Sequence, residues 1–217
     1  MDDLLLLAAS GLAREVIAAS HADWRIAGIL DDDPTMHGTL LSGVEVIGGV
    51  ELAARRTESL LVCVGSGVGR AAIVHRLAGL GVEDDRYASM VDDTVRVPAG
   101  CPVGAGSVLL PGVVITADAR IGRHVVIMPN VTVTHDNVLD DFVTIAAGAS
   151  LGGFVRLGRA SYIGMNASIR QGLSVGRGAT VGMGSAVLRD VPDGETWVGV
   201  PARAIRDSGV DRARAAG

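Results

Sequence analysis

The sequence predicts a parallel β-helix preceded by a small α/β domain, and three observations support this prediction. From Val91 to Val187 every sixth residue is aliphatic, through seventeen consecutive hexads without an insertion. No α-helix has a period of six, so each hexad is expected to form one face of a triangular coil with its aliphatic residue inward. Aromatic residues make up only 3% of the chain, which suits a narrow interior. Residues 1–85 instead alternate apolar runs with helical patterns, which favours a parallel sheet covered by helices.

The elements of the N-terminal domain are read in chain order. Three apolar runs predict strands, at residues 4–8, 24–30 and 59–64. Helical patterns follow the first and third runs, around Val16 and from Ile73 to Leu80. Between them, Gly43 to Gly49 reads as a turn-rich stretch, and a short helix is expected near residues 51–55.

Residues 86–190 are assigned to the β-helix, with eighteen residues per coil and five to six coils. Glycine often follows the inward aliphatic residue, as at Gly122, Gly164, Gly176 and Gly182, and sharp corners are predicted there. Residues 191–217 are assigned to a C-terminal tail whose arginine-rich end is expected to be mobile.

Composition and charge exclude several classes of protein. No run of eighteen apolar residues is present, so no membrane span is expected. The net charge is -5 and there is no basic run, which argues against nucleic acid as a partner. Cys63 and Cys101 lie far apart in apolar contexts, which favours a reduced, cytoplasmic setting.

The chain resembles the sugar O- and N-acyltransferases related to sialic acid O-acetyltransferase, over nearly its whole length. The matching segments are residues 8–16 (Ala-Ala-Ser-Gly-Leu-Ala-Arg-Glu-Val), 30–34 (Leu-Asp-Asp-Asp-Pro), 64–66 with Arg70, 134–137 (Thr-His-Asp-Asn) and 198–203 (Val-Gly-Val-Pro-Ala-Arg). The C-terminal segment is typical of hexapeptide acyltransferases in general, whereas the N-terminal segments are typical of this subgroup.

The resemblance implies a left-handed β-helix joined to a Rossmann-like N-terminal domain. It further implies acetyl-CoA-dependent transfer to an amino or hydroxyl group of a sugar, probably nucleotide-linked, without a metal. The family's assembly is a homotrimer with its sites at subunit interfaces, and the same is expected here.

His135 and Asp136 are the predicted catalytic residues. His135 lies on an outward turn of its hexad and coincides with the family's catalytic histidine, and an imidazole suits a base that accepts and releases a proton. The resemblance gives Asp136 the role of orienting the ring. The alternative is that His135 is one solvated polar residue on a turn, which is how His124 is interpreted.

The predicted contacts to the acyl donor are Thr144, Gly153, Met165 and Met183. Gly153 lies one coil after His135, so its amide is expected to stabilise the oxyanion, unless it is simply a corner glycine. The sequence departs from the family at Met128, where asparagine is common, and at Thr144, where a second histidine is common.

The predicted acceptor contacts lie at the carboxyl ends of the three N-terminal strands, where parallel sheets bind ligands. Ser10, Gly11 and Leu12 open a helix whose amides suit an anionic or polar group. Asp31 and Asp32 suit hydrogen bonds to a base or ribose. Gly65, Ser66 and Arg70 complete the set, with Arg70 suited to phosphate.

Three alternatives remain open at this point. An assembly scaffold with this fold would need neither His135 nor coenzyme A. A carbonic anhydrase of the γ class would need three converging histidines, and the β-helix segment has only two. An acetyltransferase acting on a free amino sugar or another small metabolite would tolerate the alanine at position 8, where a glycine fingerprint has glycine.

Overall fold

The N-terminal part of the chain is an α/β domain built on a five-stranded sheet. The computed structural model describes residues 2–19 and 24–205. The strands are β1 (Asp2–Leu7), β2 (Trp24–Leu30), β3 (Leu40–Leu41), β4 (Val44–Gly48) and β5 (Ser59–Val62). Their order across the sheet is β3-β4-β2-β1-β5, and all neighbours are parallel except β3 and β4. The helices are α1 (Gly11–Ala19), α2 (Gly67–Ala78) and the 3-10 helices Pro34–Met36, Val50–Arg55 and Asp84–Arg86.

β1 is buried on both faces, which explains its continuous run of leucines. Leu4 and Leu6 pack in one cluster with α1 residues such as Val16, whereas Leu5 and Leu7 pack in a second cluster with Leu77 of α2. A central parallel strand covered on both sides needs apolar residues at successive positions rather than alternate ones. The helices therefore form a layer on each side of the sheet.

The stretch from Gly43 to Gly49 is a strand and not the predicted series of turns. Val46 of β4 is buried and pairs with Ile29 of β2. The glycines mislead because they lie at the ends of the strand. Gly43, with a φ of 86°, makes the turn between β3 and β4.

The rest of the described chain is a parallel β-helix, as the six-residue period predicted. Each short strand pairs in parallel with the strand eighteen residues further on; Ile127, for example, is aligned with Ile145. The second residue of each strand points inward, so the aliphatic column forms one continuous core. The strands are β6 (Met90–Val91), β7 (Val108–Leu109), β8 (Val114–Ile115), β9 (Arg120–Ile121), β10 (Val126–Ile127), β11 (Thr132–Val133), β12 (Val138–Leu139), β13 (Thr144–Ile145), β14 (Ser150–Leu151), β15 (Arg156–Leu157), β16 (Tyr162–Ile163), β17 (Ser168–Ile169), β18 (Ser174–Val175), β19 (Thr180–Val181) and β20 (Ala186–Val187).

The corners of the β-helix use a different hexad position from the one predicted. Residues three places after the inward aliphatic residue adopt positive φ, among them Asp118, Asn130 and Asp136. The glycines directly after the aliphatic residue serve close stacking instead. A Cβ built on Gly164 would lie 2.5 Å from the backbone nitrogen of Met183 in the next coil. Those glycines therefore let successive coils approach, and the left-handed residues turn the chain.

The β-helix extends beyond the predicted limit at residue 190. β21 (Thr196–Val198) continues the stack by pairing in parallel with β19, and β22 (Arg203–Ala204) pairs antiparallel to β21. Ala202 is buried in the β-helix core. The arginine-rich end predicted to be mobile lies outside the described residues.

One face of the β-helix is covered by the N-terminal domain. The outward residues Val108 and Val126 are fully buried and pack in the same cluster as Leu61 of β5. A parallel bridge joins Leu60 to Tyr87 at the start of the β-helix segment. None of the helices in the described residues is long and apolar enough to cross a membrane.

Candidate active site

His135 lies at a corner of the β-helix, between β11 and β12. The corner is fixed by Asn137, whose buried amide donates from Nδ2 to the carbonyl of Thr134 at 3.0 Å and accepts at Oδ1 from the amide of Val155 at 2.7 Å. Asp136 adopts a φ of 59°, a left-handed conformation that aspartate tolerates better than most residues. The local sequence Thr-His-Asp-Asn thus holds His135 on the outer surface of a rigid turn.

The imidazole of His135 is paired with the carboxylate of Asp136. Nδ1 lies 2.8 Å from Oδ2 of Asp136, and the two side chains are 53% and 41% exposed. A carboxylate accepts hydrogen bonds, so Nδ1 carries the proton and the neutral ring keeps its lone pair on Nε2. The pair therefore presents an unprotonated Nε2 at an open surface.

Gly153 is buried directly against the imidazole. A Cβ built on Gly153 would lie 2.4 Å from both Cε1 and Nε2 of His135. The exposed ring of Phe154 meets the imidazole edge-on, with 5.1 Å between centroids. Within residues 24–205 the Gly153 amide donates to no backbone carbonyl. Its role as an oxyanion donor stays a prediction, but only glycine leaves room for the ring.

Met165 and Met183 lie at a different corner from His135. They are one coil apart, and they are 49% and 76% exposed. Residues at one corner are multiples of eighteen apart along the chain, and the thirty residues from His135 to Met165 do not satisfy this. Within one chain the predicted base and these predicted donor contacts therefore stand on separate edges of the prism.

Thr144 does not lie in an open groove, contrary to the predicted contact with the acyl donor. It is buried under the N-terminal domain, where its Oγ1 donates to the carbonyl of Gly65 at 2.9 Å and accepts from Arg70 at 3.0 Å. Its position as the outward first residue of β13, on the covered face, is the reason. The side chain is thus committed to the contact between the two domains.

Arg70 is also placed differently from the prediction. Its side chain is 0% exposed and donates to backbone carbonyls of both domains, so it has no open face toward a phosphate. Burial lowers the pKa of Arg70 to about 10, which still leaves the guanidinium charged at neutral pH.

The other predicted acceptor residues come together at one edge of the sheet. Leu7 is aligned with both Leu30 and Val62, so the loops after β1, β2 and β5 share that edge. Ser10 donates through Oγ to the carbonyl of Cys63 at 2.5 Å, and Oδ2 of Asp31 accepts from the amide of Ala9 at 2.7 Å. These bonds tie the three loops to one another.

Not every residue of this edge presents a side chain. Leu12 is buried in the core, so only its backbone amide and those of Ser10 and Gly11 are available at the start of α1. Gly65 and Ser66 are exposed, and Ser66 caps α2 by accepting from the amide of Gly69 at 3.3 Å.

Asp32 has partners that the sequence did not indicate. Its Oδ1 accepts from the amide of Val50 at 3.1 Å, and its Oδ2 accepts from Arg76 at 2.5 Å. An open cavity of about 660 Å³ adjoins this loop, lined by His37, Gly49, Leu52 and Arg55. Arg76 lies six residues after Arg70 on α2, and nothing in its local sequence pointed to Asp32.

No cluster of three or more histidine, cysteine or acidic side chains suited to a metal ion occurs within residues 2–19 and 24–205. Cys63 and Cys101 are both buried free thiols, and burial raises the pKa of Cys63 to about 12. The site therefore consists of a histidine–aspartate pair on the β-helix and a ring of loops on the N-terminal sheet.

Solved structures of acetyltransferases resemble the whole chain. The acetyltransferase domain of PglB from Neisseria gonorrhoeae, in complex with acetyl coenzyme A, is 31% identical, with 94% of this chain and 99% of that chain covered and a TM-score of 0.82. A variant of GDP-perosamine N-acetyltransferase from Caulobacter crescentus, in complex with CoA and GDP-perosamine, is 26% identical, with 95% and 98% covered and a TM-score of 0.87. WeeI from Acinetobacter baumannii is 28% identical, with 93% and 99% covered and a TM-score of 0.81. No protein-family model matches the chain, and no curated protein does.

Proposed function

The chain belongs to the hexapeptide-repeat sugar N-acetyltransferases, and on that premise we propose that it transfers the acetyl group of acetyl-CoA to an amino group of a nucleotide-linked sugar. Both neighbours with named activities are acetyltransferases, and both were solved with the donor or its product form bound. Their coverage extends over both domains of this chain, so the proposal concerns the whole molecule.

The observation that carries the mechanism is the His135–Asp136 pair. As the acceptor nitrogen attacks the thioester carbonyl, Nε2 of His135 takes a proton from that nitrogen. Asp136 stabilises the imidazolium that forms, because its carboxylate already accepts from Nδ1. The tetrahedral intermediate then expels the coenzyme A thiolate, which receives the proton from His135. No covalent enzyme intermediate is needed.

The N-terminal sheet is proposed to be a Rossmann-like domain that binds the acceptor nucleotide. Support comes from the parallel order β4-β2-β1-β5, and from the gathering of the loops after β1, β2 and β5 at one edge. The amides at the start of α1 are available to a polar group, and the carboxylates of Asp31 and Asp32 stand at the end of β2. GDP-perosamine, the acceptor bound to the Caulobacter enzyme, is a ligand of this class.

The active form is proposed to be a homotrimer whose sites combine two chains. His135 stands at one edge of the prism, whereas Met165 and Met183 stand at another. A second copy whose methionine corner faces His135 would bring base and donor contacts together. A cytoplasmic location remains part of the proposal.

The experiment that tests the function is thiol release from acetyl-CoA in the presence of UDP-, dTDP- and GDP-linked amino sugars. GDP-perosamine is the first acceptor to try. Turnover with one acceptor and none with its N-acetylated product supports the proposal. Binding of coenzyme A without turnover of any acceptor would move the assignment to a non-nucleotide acceptor. A protein that binds no coenzyme A would be a scaffold and not an enzyme.

A further inference from the structure

A buried arginine lies where the two domains meet. Arg70 is on the first turn of α2 and is 0% exposed. Among the described residues, no carboxylate lies within 4.0 Å of its guanidinium. An unpaired cation is among the most expensive groups to bury unless its N–H groups all find acceptors.

Every N–H group of Arg70 has an acceptor. Nε donates to the carbonyl of His124 at 2.9 Å, and Nη1 donates to the carbonyls of Val64 and Gly65 at 2.8 and 2.9 Å. Nη2 donates to the carbonyls of Phe142 and Val143 at 2.9 and 3.0 Å, and to Oγ1 of Thr144 at 3.0 Å. Val64 and Gly65 belong to the loop after β5, and the other acceptors belong to two successive coils of the β-helix.

The corner carbonyls need such a donor because of their conformation. His124 and Phe142 are eighteen residues apart, at the same corner, and have φ values of 54° and 64°. The ladder carbonyl of Val143 accepts from the amide of Val126, whereas the carbonyls of His124 and Phe142 accept from no backbone amide of residues 24–205. Once the N-terminal domain covers this corner, water no longer reaches these carbonyls, and Arg70 supplies their donors.

The approach of the two domains is close at this point. A Cβ built on Gly67 would lie 2.1 Å from the carbonyl oxygen of Phe142. Thr144 closes the contact from the β-helix side, since its hydroxyl bonds both Gly65 and Arg70. The loop of residues 64–67 is thus bonded from both directions.

We propose that Arg70 and Thr144 form an acceptor-loop clamp, in which two positioning residues hold residues 64–67 against the β-helix. The clamp sets the position of the bound acceptor relative to the transfer site without touching the reacting atoms. Its acceptor role rests on the proposed function, but the bonds that define it do not. The exposed ion pair between Arg123 and Asp84 joins the same two domains and contributes little, because water screens it.

The test compares clamp variants with matched controls in the full chain. Arg70→Lys keeps the charge but replaces a planar fork by a single ammonium that cannot reach both domains. Thr144→Val keeps the shape and removes the hydroxyl. Arg123→Lys is the control for the first variant. Thr180→Val is the control for the second, because it lies two coils further along the same column.

Two measurements are made on each variant. Hydrogen exchange by mass spectrometry follows residues 64–70 against the coils from residue 150 to residue 187. Calorimetry gives the affinity for GDP, UDP and dTDP and, separately, for coenzyme A. Both clamp variants are expected to speed exchange in residues 64–70 by about tenfold. They should weaken nucleotide binding about fivefold or more, while coenzyme A binding stays within about twofold of wild type.

Unchanged exchange in residues 64–70 of both clamp variants would overturn the proposal, and so would an equal loss of nucleotide and coenzyme A binding. If Arg70→Lys does not fold, Thr144→Val decides the matter alone. If the wild-type protein binds none of the three nucleotides, the nucleotide acceptor of the proposed function fails. The exchange measurement then still supports or overturns the clamp.

Discussion

Asp136 adopts a left-handed conformation at the corner that carries His135, and its carboxylate accepts from Nδ1 of the imidazole. Aspartate serves two purposes there, since it tolerates the positive φ that the corner needs and it fixes the tautomer of the base. Asparagine would serve the first purpose but not the second, because a neutral amide cannot stabilise the imidazolium as a carboxylate does. This difference separates the structural role of Asp136 from its proposed catalytic role.

Asp136→Asn is therefore expected to lower kcat by about tenfold to a hundredfold, with the melting temperature nearly unchanged. The measurement is steady-state thiol release together with thermal unfolding. Asp118→Asn is the control, because Asp118 occupies the same corner position one coil earlier. Equal activities of Asp136→Asn and wild type would remove Asp136 from the mechanism.

Gly153→Ala is expected to abolish most activity without unfolding the protein. The new methyl group would occupy the space of the imidazole, 2.4 Å from two of its atoms, and the half-exposed ring is free to swing outward. Coenzyme A affinity and melting temperature are measured beside kcat. Gln171→Ala, one coil further along the same column, is the control. A fully active Gly153→Ala enzyme would show that the observed ring position is not the working one.

At the scale of elements, the seam between the domains contains a buried neutral histidine. His124 is stacked on Phe142, with 5.0 Å between centroids, and meets the ring of Tyr87 edge-on at 4.7 Å. Burial lowers the pKa of His124 from 6.5 to about 4, and the positive charges of Arg123 and Arg70 lower it further. The seam therefore excludes the charged form of this ring.

This seam makes the free energy of unfolding depend on pH. Between pH 6.5 and 4 the unfolded chain protonates His124 and the folded chain does not, so the unfolded state binds more protons in that window. The contribution is fully present above about pH 6.5 and is lost as the pH falls toward 4, by up to about 3 kcal/mol. Denaturant unfolding at several pH values measures it.

His124→Asn removes the titration and tolerates the left-handed backbone. We expect the dependence between pH 4 and 6.5 to be flatter in this variant than in wild type. The exposed His75→Asn is the control and should keep the wild-type slope. Parallel slopes for wild type and His124→Asn would contradict this assignment.

The elements differ in how far sequence alone predicts them. The β-helix was predictable because one physical requirement, an inward aliphatic residue, recurs every six positions. The roles of Arg70 and Thr144 were predicted wrongly because their partners are carbonyls, and every residue type carries a carbonyl. A usable signal was overlooked in the two phenylalanines of the chain, Phe142 and Phe154, which both stand at left-handed corner positions where polar residues are common. One stacks in the domain seam and the other meets His135.

At the scale of the whole molecule, the β-helix separates the groups that the reaction must combine. His135 and the two exposed methionines stand on different edges of one prism. The same argument predicts complementation between subunits. Homotrimers of His135→Ala and of Met183→Arg should each be nearly inactive, the second through loss of donor binding.

Mixed trimers refolded from equal amounts of the two variants should regain activity. An interface works when one chain supplies His135 and its neighbour supplies Met183, so about one quarter of the interfaces are intact in a random mixture. Thiol release by the mixture and its mass in solution are measured together. A trimeric mixture with no regained activity would show that base and donor contacts come from one chain.

The most direct test of the account is the kcat of His135→Ala, measured by thiol release with an accepted amino sugar beside the exposed His75→Ala control. The account predicts a loss of about a hundredfold to ten-thousandfold for His135→Ala, with coenzyme A and acceptor affinities close to wild type. His75→Ala should match wild type. Wild-type turnover by a folded His135→Ala enzyme would contradict the assignment of His135 as the general base.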